Sequence, residues 1–315
     1  MRVVFIGKHH EFSLVSLRAI QARHEIVAIV ESGPRGPNQN ASRPARSWQE
    51  WLGLAQREGM QRLAQEMRVP HFWLTRNTAP DLLGFLRSVS PDVLCVASLS
   101  QLLSKAVLQI PRHGAINLHP SLLPKYHGPF PWFWQYHDFG SEWGATIHQI
   151  DEGQDTGPIL KQQPVSIEMG TDVTEAIRII GTVGAKLFVE ALAEIANGTS
   201  KPKPQPTHQF PKARLVERHE RFIDWQTWPI ERVWHFMRGT YPWHDPVEYP
   251  QLGESTVVWK TDGYEKCTVQ SPPGEVLKDE RGYFVAHKDG KIRLSFQRPT
   301  RSLGTSLRKL LRSQG

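Results

Sequence analysis

The first thirty residues alternate between strand-like and helix-like patterns, and this restricts the chain to a few folds. A β-branched run at residues 2–6 ends at Gly7, a helical pattern follows, and a second apolar run occupies residues 26–30. Strand, helix and strand in about 30 residues form a βαβ unit, and such units build parallel sheets. The clearest buried strand, at residues 92–97, continues this alternation. We therefore predict an α/β fold with a parallel sheet.

The composition changes near residue 200. Residues 198–206 contain three prolines and predict a stiff linker, and the short strand-like runs beyond them predict a small β-barrel or sandwich. We expect a first domain at 1–200, a Pro-rich linker at 201–208, and a β-barrel-like domain with a basic tail at 209–315. The further elements that we predict are helices at 48–68, 81–89, 102–108, 174–195 and 229–238, and strands at 115–118, 142–150, 256–259, 282–286 and 292–296.

The formal net charge of +7 is concentrated near the C-terminus. Residues 291–315 contain seven basic side chains and no acidic one, so residues 1–290 contain 31 of each sign. A basic tail is typical of proteins that bind polyanions, but it also suits a solvated terminus, which we favour here. The seven basic residues are Lys291, Arg293, Arg298, Arg301, Arg308, Lys309 and Arg312.

Several protein classes are excluded by the same sequence. No apolar run reaches the ~18 residues of a membrane helix. The first ten residues lack a signal-peptide core of about 7–15 apolar residues, so we expect a cytoplasmic protein without a membrane partner. Two cysteines, Cys95 and Cys267, are too few for a disulfide framework or a four-cysteine zinc site.

The side chains best suited to chemistry lie between residues 114 and 160. Asn117 and His119 leave the C-terminal end of a predicted strand, where α/β sheets place their sites, and their spacing directs them to one side. Asp155 lies in a turn sequence 36 residues after the histidine. An amide can stabilise a developing oxyanion, an imidazole can move a proton near pH 7, and a carboxylate can orient that imidazole. We therefore predict a catalytic group of these three residues that acts on a carbonyl.

Other chemistries find less support. Ser121 follows His119 but lacks a G-x-S-x-G elbow, which favours direct attack by an amine or water over an acyl-enzyme. Gly7 is followed by Lys-His-His, so the dinucleotide fingerprint is absent and no nicotinamide cofactor is predicted. The histidines at 113, 119, 127, 137 and 148 match no usual zinc spacing, so we predict no metal.

Two stretches, residues 117–124 and 151–157, resemble the formyltransferase family that uses 10-formyltetrahydrofolate. They read Asn-Leu-His-Pro-Ser-Leu-Leu-Pro and Asp-Glu-Gly-Gln-Asp-Thr-Gly. The resemblance implies that Asn117, His119 and Asp155 are the catalytic triad of a Rossmann-like domain. It implies 10-formyltetrahydrofolate as cosubstrate, and formyl transfer to a primary amine by direct attack through a tetrahedral intermediate. Residues 221–243 resemble the start of the OB-like C-terminal domain of the tRNA-specific members.

The resemblance also implies where the ligands bind. In the family, folate lies between the segment after the central strand and the Asp-rich loop. The folate-binding residues expected here are Ser98, Gln101, Leu102, Leu103, Ile150, Asp151 and Gly153. The residues expected to bind the acceptor are His9, Lys125, Tyr126, His127 and Trp132. We also expect Gly153 and Gly157 to adopt backbone conformations that are closed to other residues.

The chain departs from the tRNA-specific members in several places. Pro120 replaces a Gly or Ala, residues 125–128 (KYHG) replace Arg-Trp-Arg-Gly, and Pro158 replaces Asp. These differences favour a small-molecule amine acceptor, nucleotide-linked or not, such as an amino sugar or an amino-acid-derived amine, and disfavour tRNA. Formylation of methionyl-tRNA and hydrolysis of formyltetrahydrofolate stay open as alternatives. The oligomeric state is left open.

Overall fold

The computed structural model describes residues 1–33, 59–75, 78–140, 142–206, 210–240 and 258–297. The chain divides into two compact units. The first combines Met1–Ile167 with Thr174–Leu215, and the second combines Glu168–Val173 with Val216–Gly315. The first unit thus includes the predicted linker and continues beyond it to Leu215.

The first unit is built on a seven-stranded sheet with the order β3-β2-β1-β4-β5-β6-β7. Its strands are β1 (Arg2–Gly7), β2 (Glu25–Ser32), β3 (His71–Leu74), β4 (Val93–Ala97), β5 (Ala115–His119), β6 (Trp143–Gln149) and β7 (Ile159–Val165). Its helices are α1 (Glu11–Gln21), α2 (Met60–Glu66), α3 (Leu82–Val89), α4 (Lys105–Leu108), α5 (Pro131–His137) and α6 (Val173–Ala196), and a 3₁₀ turn at Ala79–Asp81 precedes α3.

The central strands explain why this sheet forms. All five residues of β4 are buried, as are the last five of β1, which is typical of strands covered on both faces. β1 pairs in parallel with β2 and β4, and β4 pairs in parallel with β5. The predicted α/β fold with a parallel, Rossmann-like sheet is therefore confirmed. The predicted strand at 142–150 is confirmed as β6, but the sequence patterns predict neither its antiparallel pairing nor the strand β7. This pairing places His148 opposite Asn117.

The predicted helix at 102–108 is wrong in its first turn. The helix α4 begins at Lys105, because the Ser104 hydroxyl accepts a hydrogen bond from the Val107 amide and caps it. Leu102 and Leu103 therefore lie in the segment before the helix, where Leu103 is buried and Leu102 is 66% exposed. Of the predicted helix at 48–68, residues 48–58 lie outside the described residues, and α2 occupies part of the remainder.

The second unit contains an antiparallel sheet with the order β8-β11-β10-β9. Its strands are β8 (Val258–Lys266), β9 (Val276–Asp279), β10 (Gly282–His287) and β11 (Gly290–Gln297), and a 3₁₀ turn at Arg218–Arg221 and helix α7 (Ile230–Thr240) precede them. A second, antiparallel domain is thus confirmed. Within the described residues, β8 and β9 are the edges of an open four-stranded sheet rather than neighbours in a closed barrel.

Two of the seven basic residues near the C-terminus are neutralised within this sheet. Lys291 Nζ lies 2.9 Å from an Asp279 carboxylate oxygen, and Arg293 bridges Asp279 and Glu265 at 2.7 and 2.8 Å. The positive charge of these two residues therefore has local carboxylate partners. The other five, Arg298, Arg301, Arg308, Lys309 and Arg312, lie outside the described residues.

The structure describes both cysteines and the helices named above, which relate to the predictions about disulfides and membrane helices. Cys95 is buried in β4, Cys267 is exposed, and neither forms a disulfide. Burial raises the pKa of the Cys95 thiol, as expected for an inert core residue. In the described part of the chain, no helix combines the length and the apolar character that a membrane span requires.

A buried histidine ties α7 to the short segment Glu168–Val173 within the second unit. His235 is 3% exposed, and its Nδ1 accepts a hydrogen bond of 2.9 Å from the Gly170 amide. Burial lowers the pKa of His235 to about 4. The unfolded chain therefore binds a proton at this residue between about pH 6.5 and pH 4, where the folded chain does not.

We predict that this histidine makes the second unit less stable in acid. As the pH falls from 6.5 to 4, the free energy of unfolding should decrease by up to about 3 kcal/mol through His235 alone. His235→Asn keeps an acceptor for the Gly170 amide and cannot be protonated, so its loss of stability over this range should be smaller. Chemical denaturation at pH 7 and pH 4.5 measures the difference. As a control, His219→Asn at an exposed position should lose as much stability between these pH values as the wild type. If His235→Asn also loses as much stability as the wild type, the prediction is contradicted.

Candidate active site

The C-terminal end of β5 carries two of the predicted catalytic side chains. Asn117 and His119 are two residues apart on the strand, so their side chains point to the same face. Asp155 reaches them from the turn between β6 and β7. His119 is 4% exposed and the Asp155 side chain 18% exposed. The structure thus brings together the three residues for which the sequence predicts catalytic roles.

The Asp155 carboxylate is the centre of this cluster. Its Oδ2 accepts a hydrogen bond of 2.9 Å from the Gly128 amide and lies 3.6 Å from His119 Nδ1. Its Oδ1 lies 3.6 Å from His148 Nε2. Burial opposes ionisation of the carboxyl, but His119, His148 and the Gly128 amide outweigh it and hold the pKa of Asp155 below its usual range. Asp155 is therefore a buried, ionised carboxylate.

A backbone contact fixes the tautomer of His119. Its Nε2 lies 2.8 Å from the Tyr126 carbonyl oxygen, which can only accept, so Nε2 carries the hydrogen. Nδ1 is left facing Asp155. Burial lowers the pKa of His119, although Asp155 and the Tyr126 carbonyl act in the opposite direction. The Asp155 carboxylate is thus placed to stabilise the imidazolium that forms when Nδ1 takes a proton.

His148 orients the amide of Asn117. His148 Nδ1 donates to the Gln149 carbonyl at 2.8 Å, which leaves Nε2 as an acceptor for Asn117 Nδ2 at 3.0 Å. One N–H of the Asn117 amide is thereby bound, and the other remains to donate to a ligand oxygen. The sequence pattern does not indicate this role, because it presents His148 only as one of five clustered histidines. The alternating pattern of residues 142–150 predicts a strand. Only the antiparallel register of that strand shows that His148 lies opposite Asn117.

Three residues of the site have positive φ. Tyr126 and Asp155 are both at 56°, a left-handed conformation that costs a non-glycine residue about 1–3 kcal/mol. Gly128 is at 122°, and a Cβ there would lie 2.7 Å from the Ala213 carbonyl oxygen. The backbone is therefore bent to aim the Tyr126 carbonyl at His119 and the Gly128 amide at Asp155.

The two segments predicted to bind folate are adjacent. Lys105 follows the first segment and pairs at 2.8 Å with Glu152 of the second. Leu103 is buried in an apolar cluster against which Ile150 also packs. A cavity of about 330 Å³ is lined by Gln101, Leu102 and Leu103 together with Leu74, Leu82 and Leu83. Its apolar lining and volume are typical of a small-molecule site.

Other features of these segments serve the loops themselves. Ser98, directly after β4, has a φ of 70°, and the Asp151 carboxylate accepts hydrogen bonds from the Gly153 amide and the Thr156 hydroxyl. The expectation for the glycines is wrong, because neither Gly153 nor Gly157 has positive φ. A Cβ at Gly157 would instead lie 2.0 Å from the Gln149 carbonyl oxygen, so close approach of the backbone requires glycine there.

The residues predicted to bind the acceptor have different surroundings. His9 is exposed after β1, and Lys125 forms an ion pair with Glu142. The Tyr126 side chain is buried, so this residue serves the site through its carbonyl. His127 Nδ1 donates to the Pro124 carbonyl at 3.0 Å, which leaves its Nε2 as an acceptor. Trp132 is half-buried against the rings of Phe12 and Trp143.

Two alternative chemistries can be compared with the described residues. Ser121 is fully buried, and its hydroxyl donates to the Lys125 carbonyl at 2.6 Å, so it closes a turn. Within the described ranges, no group of three or more His, Cys, Asp or Glu side chains is arranged to hold a metal ion. The cluster around Asp155 therefore consists of an amide, two imidazoles and a carboxylate, with no serine placed as a nucleophile.

Comparison with known protein families gives two matches. Residues 1–192 match the model described as formyl transferase, and residues 215–307 match that of the formyl transferase C-terminal domain. Among curated relatives, methionyl-tRNA formyltransferase of Thermodesulfovibrio yellowstonii is 30% identical over 94% of this chain and 91% of its own length. The enzyme of the same name from Anaeromyxobacter dehalogenans is 33% identical over 93% of this chain and 90% of its own.

Solved structures support the fold. An N-formyltransferase of Helicobacter canadensis, in complex with folinic acid and dTDP-3-aminofucose, has a TM-score of 0.59 and 16% identity, with 94% of this chain and 99% of that chain covered. HypX of Aquifex aeolicus, in complex with tetrahydrofolic acid, has a TM-score of 0.63 and 16% identity, covering 95% of this chain. This chain spans only 44% of HypX, and at such low identity both structures support the fold alone.

We predict that Asp155 raises the pKa of His119, so removing its charge should lower that pKa further. In Asp155→Asn the imidazole loses the carboxylate that favours its protonated form, so its pKa should fall further below the ordinary value of a histidine. A titration of ¹⁵N-labelled histidine side chains by NMR measures this shift. Glu152→Gln, in the same loop but paired with Lys105, should leave the titration unchanged. An unchanged or raised pKa in Asp155→Asn would contradict the described geometry.

Proposed function

The chain belongs to the formyl transferase family, and we propose that it transfers a formyl group from 10-formyltetrahydrofolate to the primary amine of a small or nucleotide-linked acceptor. One observation carries the proposal. An imidazole, an ionised carboxylate and an amide with a free N–H meet at the end of β5, in a largely buried cluster. This is the donor and acceptor set that acyl transfer to an amine requires.

The residues next to this cluster fit a folate. A pterin ring is flat, with aromatic faces and hydrogen-bonding edges, and the cavity lined by Gln101, Leu102 and Leu103 offers apolar walls for such faces. Ile150 and Glu152 bring the second segment to the same place through apolar packing and an ion pair. When bound, the folate supplies the formyl carbonyl. Asn117 and His119 lie at the end of β5, next to β4, which leads into the first segment.

Each catalytic residue has one role in the proposed reaction. The free N–H of Asn117 stabilises the formyl oxygen as negative charge develops on it, an effect worth roughly 3–4 kcal/mol. His119 Nδ1 holds the proton that the attacking amine releases and returns it to the leaving nitrogen. Asp155 keeps the ring in place and stabilises the imidazolium. Because Ser121 closes a turn, the amine attacks directly.

Two acceptor classes are each supported by a specific observation. Sequence differences at Pro120, at residues 125–128 and at Pro158 favour a small or nucleotide-linked amine, and His127 Nε2 and the half-buried Trp132 offer an acceptor and an aromatic surface. The second candidate is methionyl-tRNA, because curated relatives of that name match more than nine tenths of this chain. The comparisons therefore do not support the expectation that tRNA is disfavoured.

We predict that Asn117→Ala nearly abolishes formyl transfer. Loss of the oxyanion donor should lower kcat by about 10²–10³-fold, with a small change in KM for the folate. Formation of tetrahydrofolate from 10-formyltetrahydrofolate and an amine measures the rate. Asn197→Ala, at the exposed end of α6, should retain full activity. A kcat of Asn117→Ala within a few fold of the wild type would exclude Asn117 as the oxyanion donor.

The acceptor can be identified by a competition between classes. We expect the wild type to formylate an amino sugar nucleotide or an N-hydroxyornithine-like amine faster than methionyl-tRNA. If tRNA is the acceptor, its KM should instead rise steeply with salt, because contacts to phosphates release counterions. Product analysis by mass spectrometry at 50 and 200 mM salt distinguishes these outcomes. Formate released at the same rate without any amine would point to a hydrolase instead.

A further inference from the structure

We propose that Gln205 is a positioning residue that holds the Asp155 loop, so that part of the predicted linker belongs to the catalytic machinery. The inference deepens the proposed function and rests on it. Gln205 is half-buried, whereas residues 201–204 and 206 on either side of it are exposed. A role as a stiff spacer does not require one polar side chain to be buried. The contacts of Gln205 therefore need a separate explanation.

The Gln205 amide binds the catalytic loop at two points. Its Nε2 donates to the Asp155 carbonyl at 2.8 Å and to the Gly157 carbonyl at 2.7 Å. The segment is held in register beside this loop, because Lys203 and Ile159 exchange two backbone hydrogen bonds of 2.8 Å each. One amide group therefore fixes the backbone on both sides of Thr156.

This contact acts where the loop is under strain. Asp155 is in the left-handed region at a φ of 56°, and it must keep that conformation to direct its carboxylate at His119 and His148. A glutamine amide has two N–H donors, which match two carbonyl oxygens. Glutamate has no N–H donor to offer these carbonyls when it is ionised, and leucine offers no hydrogen bond at all. The choice of residue at 205 thus bears directly on the position of the carboxylate.

The residues that follow hold the second catalytic loop in the same way. The Tyr126 amide donates to the Pro211 carbonyl at 2.7 Å, and the Ala213 amide donates to the His127 carbonyl at 2.8 Å. The Phe130 amide donates to the Ala213 carbonyl at 3.0 Å. These bonds fix the backbone that presents the Tyr126 carbonyl to His119 and the Gly128 amide to Asp155. We name residues 203–206 and 211–214 the strap.

The strap lies between the ranges that match the two family models. The first match ends at residue 192 and the second begins at residue 215. Its contacts with the catalytic loops are nevertheless within the first compact unit, which extends to Leu215. Neither family model covers Gln205, and the role that we propose for it rests on these distances.

The test compares Gln205→Leu, Gln205→Glu and Gln205→Asn with the wild type. Gln205→Leu and Gln205→Glu should each lower kcat about tenfold or more, because small misplacement of a catalytic group is costly, while KM for the folate and the amine should change by less than about threefold. Gln205→Asn keeps the donors on a shorter side chain and should recover part of the loss. Lys201→Leu, at an exposed position of the predicted linker, should match the wild type.

A second readout does not depend on turnover. In Gln205→Leu the pKa of His119, followed by ¹⁵N NMR, should move down as in Asp155→Asn, because the carboxylate is no longer held beside the ring. A kcat within about twofold of the wild type together with an unchanged titration would overturn the proposal. If the wild type formylates no amine, the proposed function fails while the titration still decides the role of Gln205. Should Gln205→Leu fail to fold, Gln205→Asn and Gln205→Glu provide the same comparison.

Discussion

The candidate active site depends on one buried charge, the carboxylate of Asp155. Taking a carboxylate out of water is costly unless opposite charges and hydrogen bonds compensate it. The Gly128 amide donates a hydrogen bond to this carboxylate from the loop after β5, and the imidazoles of His119 at the end of β5 and of His148 on β6 each lie 3.6 Å from one of its oxygens. Strand pairing already fixes β5 and β6 relative to each other. The loops that carry Asp155 and Gly128 are the parts that need further support.

These loops adopt backbone conformations that are energetically unfavourable. Tyr126 and Asp155 both adopt left-handed φ angles, which ordinary side chains avoid. Such conformations persist when surrounding contacts over-determine them, and here each is held by hydrogen bonds from the strap. The Tyr126 amide is bound to Pro211, and the Asp155 carbonyl is bound to Gln205. The two strained residues are also the two that set the environment of the His119 ring, one on each of its nitrogens.

The sequence predicts the parts of this arrangement that depend on local pattern or on side-chain chemistry. The buried strands β1, β4 and β5, the α/β architecture and the grouping of Asn117, His119 and Asp155 all follow from it. The antiparallel placement of β6 and β7 does not, because strand order depends on contacts between distant residues. The role of His148 is not predictable for the same reason, since it depends on lying opposite Asn117. The contacts of Gln205 are not predictable either, because proline composition indicates the stiffness of a segment and not what the segment contacts.

The difference between backbone contacts and side chains also matters for the choice of acceptor. At residues 125–128 the chain has KYHG where tRNA-specific members have Arg-Trp-Arg-Gly, yet the contacts that this loop makes with the catalytic cluster come from its backbone. A carbonyl at Tyr126 and an amide at Gly128 are available whatever side chains precede the glycine. Changes at Lys125 and His127 therefore leave the geometry around Asp155 intact and alter only the surface around it. The geometry around Asp155 therefore does not distinguish the two acceptor classes, and a difference between them has to be sought in the side chains outside the buried cluster.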